Sequence, residues 1–247
     1  MKELLTRRNT VLEALRARRR PLHTLWVLEG AEKQLGPILH AARQAAVPIR
    51  PTTKEKLGNL TQAADHQGVA LEVGEYPYAT VEEILAAAEA SHERPFILIL
   101  DLVQGTQNVG ALLRTAEICG VHGVIMQERR SPDITPQIAQ HAVGATEHLR
   151  IARVTNLGKA MEQLQAAEVW VAGLDMGEDA LPLGQIDLNR GLAIVVGNEG
   201  EGLRRLVRDK CDFIVRLPMR GRVESLNASV AGSVMLYMAW QARGFSM

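Results

Sequence analysis

Three short stretches concentrate the polar side chains on which chemistry can be built. The first is "IVVGNEGEGL", residues 194–203, an apolar run that opens into a loop of three glycines and two glutamates. Glycine loops after a buried strand commonly hold anions on bare backbone N–H groups. Here Gly197, Gly200 and Gly202 follow a G-x-x-G-x-G spacing, which is neither the dinucleotide fingerprint nor the P-loop. Glu199 and Glu201 would repel a pyrophosphate, so the loop suits a neutral or cationic ligand; a plain tight turn before an acidic helix start is the alternative. The second stretch is "DLVQGTQNVGALLRTAEICG", 101–120, where Asn108 opens a helix that carries Arg114. The third is "LPMRGRVESLNASVAGSVMLYMAW", 217–240, which presents Ser225 and Asn227 ahead of a long helix rich in small residues. Taken singly, Asn108, Ser225 and Asn227 also read as helix caps, and Arg114 as a surface cation.

The elements that must position these groups follow from periodicity. From Phe96 onward, apolar runs "FILILD", "GVIMQ", "LRIARV", "VWVAGLD", "LAIVVGN" and "FIVRLPM" alternate with helical stretches. That rhythm predicts a largely parallel sheet covered on both faces. The strongest glycine loop follows the fifth of these strands, so the binding site is expected from the C-terminal part of the domain. Residues 9–75 read as a small α/β unit, with Asn9 as N-cap of a first helix, a strand at "LWVLEG", a helix at "LGPILHAARQAA" and strands near "VPIRP" and "VALEV". The predicted division is 1–75, a turn-rich linker at 76–93 enclosing the helix "VEEILAAAEA", and 94–247.

Composition narrows the classes. The 247 residues are 47% hydrophobic and 23% charged, enough for a substantial core. No apolar stretch approaches the roughly 20 residues that span a bilayer, and "MKELLTRRNTVLEAL" has no leader-like core, so a cytoplasmic protein is expected. Cys119 and Cys211 lack metal-ligand spacing and read as ordinary buried thiols. The balanced total of 28 basic and 28 acidic residues hides an asymmetry of +4 over residues 1–75 and −4 over the remainder. Arg7, Arg8, Arg16 and the run Arg18, Arg19, Arg20 supply much of the excess and are candidates for phosphate contact, or simply a solvated helix end.

Together the three stretches resemble the signature motifs of the SpoU (TrmH) family of RNA 2′-O-ribose methyltransferases, of the SPOUT class. "NVGALLRTA" is similar to the family's first motif, "GNEGEGL" to its second and "PMRGRVESLNAS" to its third, in the family's order and spacing. The resemblance covers roughly residues 94–243. Through "NTVLEAL" and "HQGVALEV" the N-terminal region also resembles the family's small L30e-type substrate-binding domain.

The resemblance implies an α/β fold with a deep trefoil knot in the C-terminal domain, a homodimer joined through C-terminal helices, S-adenosylmethionine as methyl donor and no metal. It places Gly197, Leu217 and Leu226 in the cofactor pocket, with Leu174, Gly202 and Met219 as neighbours. It places Asn108, Arg114, Glu199, Ser225 and Asn227 at the catalytic site. Because an arginine keeps its proton near neutral pH, Arg114 is expected to serve as a charged clamp on a phosphate and on the developing 2′-oxyanion, positioned with Asn108; a general base, deprotonated as RNA desolvates the guanidinium, is the alternative. Glu199 is expected to orient Asn108, and Ser225 and Asn227 to approach the ribose. The implied substrate is a guanosine ribose in large-subunit ribosomal RNA, with transfer RNA as rival substrate and a non-catalytic RNA-binding or assembly factor as the reading from another class. Two departures stand out: Gly105 and Thr106 replace the family's usual Asp-Pro, and Arg7 or Arg8 stands where a glycine is common.

Overall fold

The computed structural model describes residues 2–62, 65–177, 179–222 and 225–245. They form two compact units, Met1–Pro77 with Asp133–His148, and Tyr78–Pro132 with Leu149–Met247. The segment expected as a linker therefore falls mostly in the second unit, and a stretch near the middle of the chain returns to the first.

The first unit contains β1 (Glu3–Thr6), α1 (Arg8–Ala17), β2 (Leu22–Leu28), α2 (Gly36–Gln44), β3 (Ile49–Thr52), α3 (Lys54–Thr61), β4 (Val69–Val73) and, from the returning segment, α6 (Pro136–His141). Its sheet has the order β1-β4-β2-β3, with β4 antiparallel to both β1 and β2 and with β3 parallel to β2. Leu5, Val11, Leu15, Leu25, Ile38 and Leu71 share its core with Ala139. Asn9 is not the N-cap of α1: the helix starts at Arg8 and the cap position is Arg7, with φ 69° and ψ 142°. A residue with a Cβ is strained there, which accounts physically for the glycine common at this point in the family.

Arg20 leaves the set of phosphate candidates. Its side chain is 1% exposed and gives a two-pronged pair to Glu147, Nε to Oε2 at 2.9 Å and Nη2 to Oε1 at 2.6 Å, with Glu3 at 2.7 Å. A guanidinium this enclosed ties the returning segment to the first unit. Arg8 is also engaged, donating to the Gln67 carbonyl and to Gln34 Oε1, whereas Arg16 and Arg18 are exposed and partnered locally, Arg16 with Glu13 at 2.8 Å and Arg18 with the Leu15 carbonyl at 3.3 Å.

The second unit contains α4 (Val81–Ala90), β5 (Phe96–Leu100), α5 (Thr106–Ile118), β6 (Gly123–Gln127), β7 (Ile151–Val154), α7 (Leu157–Ala166), β8 (Trp170–Leu174), β9 (Leu181–Pro182), β10 (Leu192–Val196), α8 (Arg205–Arg208), β11 (Phe213–Arg216) and α9 (Ala228–Ala242). All its strand pairs are parallel, in the order β7-β6-β5-β10-β8-β11-β9. Every residue of β5 and β10 is buried, as continuous apolar runs in a doubly covered sheet require. The helix α4 begins with a reciprocal Thr80–Glu83 capping box and packs on the sheet: a Cβ on Gly123 would lie 2.4 Å from Ile84 Cγ1. This close approach makes α4 part of the unit's core instead of a tether.

Both cysteines are free, and burial pushes their thiols up to about 11 for Cys119 and about 12 for Cys211. Neither is a thiolate at neutral pH. Among the described residues no helix is long and apolar enough to cross a membrane, and no group of three or more His, Cys, Asp or Glu is placed to hold a metal ion.

Candidate active site

The site lies at the carboxyl ends of the parallel strands, where open α/β sheets characteristically bind ligands. After β10 the chain makes a tight turn, in which the backbones of Asn198 and Gly202 exchange two hydrogen bonds of 3.0 Å. Two glycines make the turn possible. A Cβ on Gly197 would lie 2.3 Å from the Gly202 carbonyl oxygen, and Gly202 itself has φ 67°.

Beside this turn is a cavity of about 320 Å³. Leu174, Gly197, Gly202, Leu217, Met219 and Leu226 all line it, together with Ser225. Glu201, whose charge argued against an anionic ligand, also lines it, as do Asp175, Met176, Asn198, Ala228 and Ala231, which were not assigned to the pocket from the sequence. Asp175 had a usable signal, since it ends the run "VWVAGLD" at a strand's carboxyl end. Among the described residues the lining includes the acidic Asp175, Glu199 and Glu201 and no basic residue, with Asp175 paired to Arg208 at 3.3 Å. Apolar walls and net negative charge suit a ligand with an apolar body and a positive centre; S-adenosylmethionine, whose sulfonium is cationic, fits that description.

On the rim of the cavity three side chains meet. Glu199 Oε1 accepts from both Asn108 Nδ2 and Asn227 Nδ2, and Asn227 Nδ2 also lies 3.3 Å from Asn108 Oδ1. Asn108 is not a cap. α5 starts at Thr106 behind Gly105, which places Asn108 in the helix's first turn with its amide toward Glu199. Asn227 performs two roles at once: its Oδ1 caps α9, accepting from Ser229 N at 2.9 Å and Val230 N at 3.3 Å, while its Nδ2 reaches the cluster. Gly105 stands against this arrangement, since a Cβ there would lie 3.3 Å from Asn108 Nδ2.

Arg114 is exposed on α5, six residues beyond Asn108 and so on a different face of that helix. The next residue, Thr115, bonds Ser233 across the α5–α9 contact at 2.9 Å. Gly232 makes that contact possible: a Cβ there would lie 2.6 Å from Leu112 and 2.9 Å from Val196. The small residues Gly232 and Ser233 thus serve packing within the chain. A different stripe of α9, Val230, Val234, Tyr237 and Met238, is 38–47% exposed.

Fold and site together define an α/β ligand-binding domain, with a glycine-turn cavity at its strand ends, joined to a smaller α/β unit. Residues 95–237 match the SpoU rRNA Methylase family, and residues 8–79 match the domain described as RNA 2'-O ribose methyltransferase substrate binding. The chain belongs to the SpoU family of RNA methyltransferases. It is 38% identical over 239 residues to YacO of Bacillus subtilis, assigned to the TrmH family of tRNA/rRNA methyltransferases, covering 96% of this chain and 94% of YacO. Among solved structures it resembles the SpoU methyltransferase AviRb from Streptomyces viridochromogenes in complex with AdoMet, with TM-score 0.82, 23% identity and coverage of 99% and 92%. The AdoMet-bound rRNA methyltransferase from Sinorhizobium meliloti aligns with TM-score 0.80 and 21% identity over 97% of this chain and 87% of that one.

Proposed function

We propose that this protein methylates a ribose 2′-hydroxyl in large-subunit ribosomal RNA, at a guanosine, with S-adenosylmethionine as donor. The observation that carries the reading is the meeting of Asn108, Glu199 and Asn227 on the rim of an acidic, apolar cavity. Bound S-adenosylmethionine supplies an electrophilic methyl on a cationic sulfur. The cavity's carboxylates and apolar walls hold that charge, with Gly197, Leu217 and Leu226 as the pocket and Leu174, Gly202 and Met219 around it. Glu199 fixes Asn108 and Asn227 on the rim; both Asn227 amide N–H groups are taken, by Glu199 and by Asn108 Oδ1, which leaves one Asn108 N–H for the ligand. Arg114, as a cation, would grip a phosphate beside the target ribose and stabilise the developing 2′-oxyanion while Ser225 approaches the sugar; the O–CH3 bond forms as the S–CH3 bond breaks, S-adenosylhomocysteine leaves as a neutral thioether, and the hydroxyl proton passes to solvent water at the open rim. Alignment is the main source of rate, for which well-oriented intramolecular reactions allow about 7 to 11 kcal/mol.

The ribosomal substrate is favoured by the rRNA methylase description of the matched family, and the match at residues 8–79 supports a separate RNA-binding domain. That domain, 1–75 in our reading, carries the RNA, and residues 94–247 carry the chemistry and the deep trefoil knot. The protein works as a cytoplasmic homodimer that brings α9 of one copy against α9 of the other. The exposed stripe of Val230, Val234, Tyr237 and Met238 supports this arrangement, which also explains an Arg114 on a different face of α5 from Asn108.

The test is to incubate the protein with tritiated S-adenosylmethionine and separate unmodified ribosomal and transfer RNA pools, mapping label by alkaline cleavage, which 2′-O-methylation blocks. Label is expected in large-subunit ribosomal RNA. Arg114→Ala should reduce it by roughly 10²–10³-fold without weakening cofactor binding. Label in transfer RNA alone moves the substrate assignment, and cofactor binding without label in either pool overturns the proposed reaction.

A further inference from the structure

Below the rim cluster lies a polar network that the reaction itself does not use. Asp101, the residue that follows β5, is fully buried. Its carboxylate is satisfied by Arg204: Oδ2 accepts the Arg204 backbone N–H at 2.9 Å, and Oδ1 takes the guanidinium, with Nε at 2.7 Å and Nη2 at 2.6 Å. Nη2 also donates to Gln127 Oε1 at the end of β6, at 2.7 Å. A second tie runs in parallel. Asn198 Nδ2 donates to the Leu102 carbonyl at 3.0 Å, and Leu102 is held at φ 57°, a conformation leucine avoids.

The two ties join the same pair of loops. One loop leads from Asp101 to Asn108; the other runs from Gly197 through Glu199 to Arg204 and forms one side of the cavity. We infer that Asp101, acting through Arg204, is a positioning residue that sets the glycine turn at the height needed to hold S-adenosylmethionine and to bring Glu199 to Asn108. A surface pair would be too soft for this purpose. A carboxylate with no solvent exposure, bonded three times to one partner, has a single low-energy geometry, and Gln127 prevents the guanidinium from swinging out. Asp101 and Arg204 touch neither the cavity nor the rim cluster, so their influence passes through the turn.

The inference rests on the proposed cofactor, and its test separates the two. Calorimetric titration with S-adenosylmethionine and hydrogen exchange of residues 198–203 are measured on the full chain as wild type, Arg204→Lys, Asp101→Asn/Arg204→Gln and Arg205→Gln. Arg204→Lys keeps the buried carboxylate paired but loses the fork and the Gln127 tie; the neutral pair removes both charges together. Arg205, 93% exposed in a pair with Asp209, is the control on the adjoining helix.

The expected result is a cooperative melt for Arg204→Lys with S-adenosylmethionine Kd raised at least fivefold, faster exchange of the turn, and wild-type behaviour of Arg205→Gln. The neutral pair should show the same signature wherever it folds, and Arg204→Lys decides if it does not. Affinity within twofold of wild type and unchanged exchange of the turn in folded Arg204→Lys overturn the inference and leave the pair as a fold stabiliser. If the wild-type chain binds no S-adenosylmethionine, the cofactor reading fails, and exchange of the turn alone still decides whether Asp101 and Arg204 position it.

Discussion

His122 shows how one side chain ties stability to pH in this fold. Its Nδ1 accepts the Phe96 backbone N–H at 3.0 Å, so this nitrogen carries no proton in the folded protein. Its Nε2 faces Glu93 at 3.1 Å and Ser91 Oγ at 3.3 Å. Burial holds its pKa below the usual histidine value, with Arg243 adding to the effect and Glu93 opposing it. A base with a depressed folded pKa binds its proton more readily when unfolded, so the stabilisation is complete above about pH 6.5 and is lost as pH falls through the folded value. Wild-type Tm should therefore fall more between pH 7 and pH 5 than that of His122→Gln. Equal slopes in thermal melts at the two pH values would show that this group contributes nothing.

At the scale of elements, α9 connects packing to chemistry, because its cap, Asn227, is also a member of the rim cluster. The seat of the helix depends on Gly232 lying against Leu112 and Val196. Gly232→Ala would gain up to about 1 kcal/mol in helix propensity, but overpacking costs about 1–3 kcal/mol. Leu112 can turn its terminal methyl aside, whereas β-branched Val196 on a central strand cannot, so the overpacking cost wins. Calorimetry should show a net loss of about 1–2 kcal/mol, equivalent to a fall in Tm of several degrees for a chain of this size. Since α9 carries Asn227, weaker S-adenosylmethionine binding should accompany it. The six long apolar runs from Phe96 onward were legible as strands because strands buried on both faces need apolar residues throughout. By contrast, β1 and α3 were not: one has four residues and the other mixes Lys, Glu, Gly and Asn, so neither carries a clear period.

For the whole molecule, the decisive surface is the exposed apolar stripe of α9. Four apolar side chains at i, i+4, i+7 and i+8 form one helical face, which a homodimer would cover. Tyr237→Glu places a charge in that face. Light scattering should show the wild type as a dimer and this variant as a monomer, and methyl transfer should fall with dimerisation while each chain still melts cooperatively. A wild-type monomer with full activity would end the dimer proposal.

By itself, the sequence determined the parallel α/β class, the strand runs and the three motifs, because burial on both sheet faces and tight glycine turns leave local traces in composition and spacing. It also pointed to each side chain of the rim cluster, while leaving capping and chemistry unresolved for Asn108 and Asn227. Only the tertiary structure decided that Asn108 turns to Glu199 and that Asn227 serves both purposes, since the partners are 91 and 28 residues apart. The same holds for Arg20. In the sequence it is one of three consecutive arginines available to phosphate, and in the fold it is enclosed by Glu147, 127 residues away. Whether a charge meets water, a ligand or an opposite charge depends on long-range packing, and local periodicity carries no record of it.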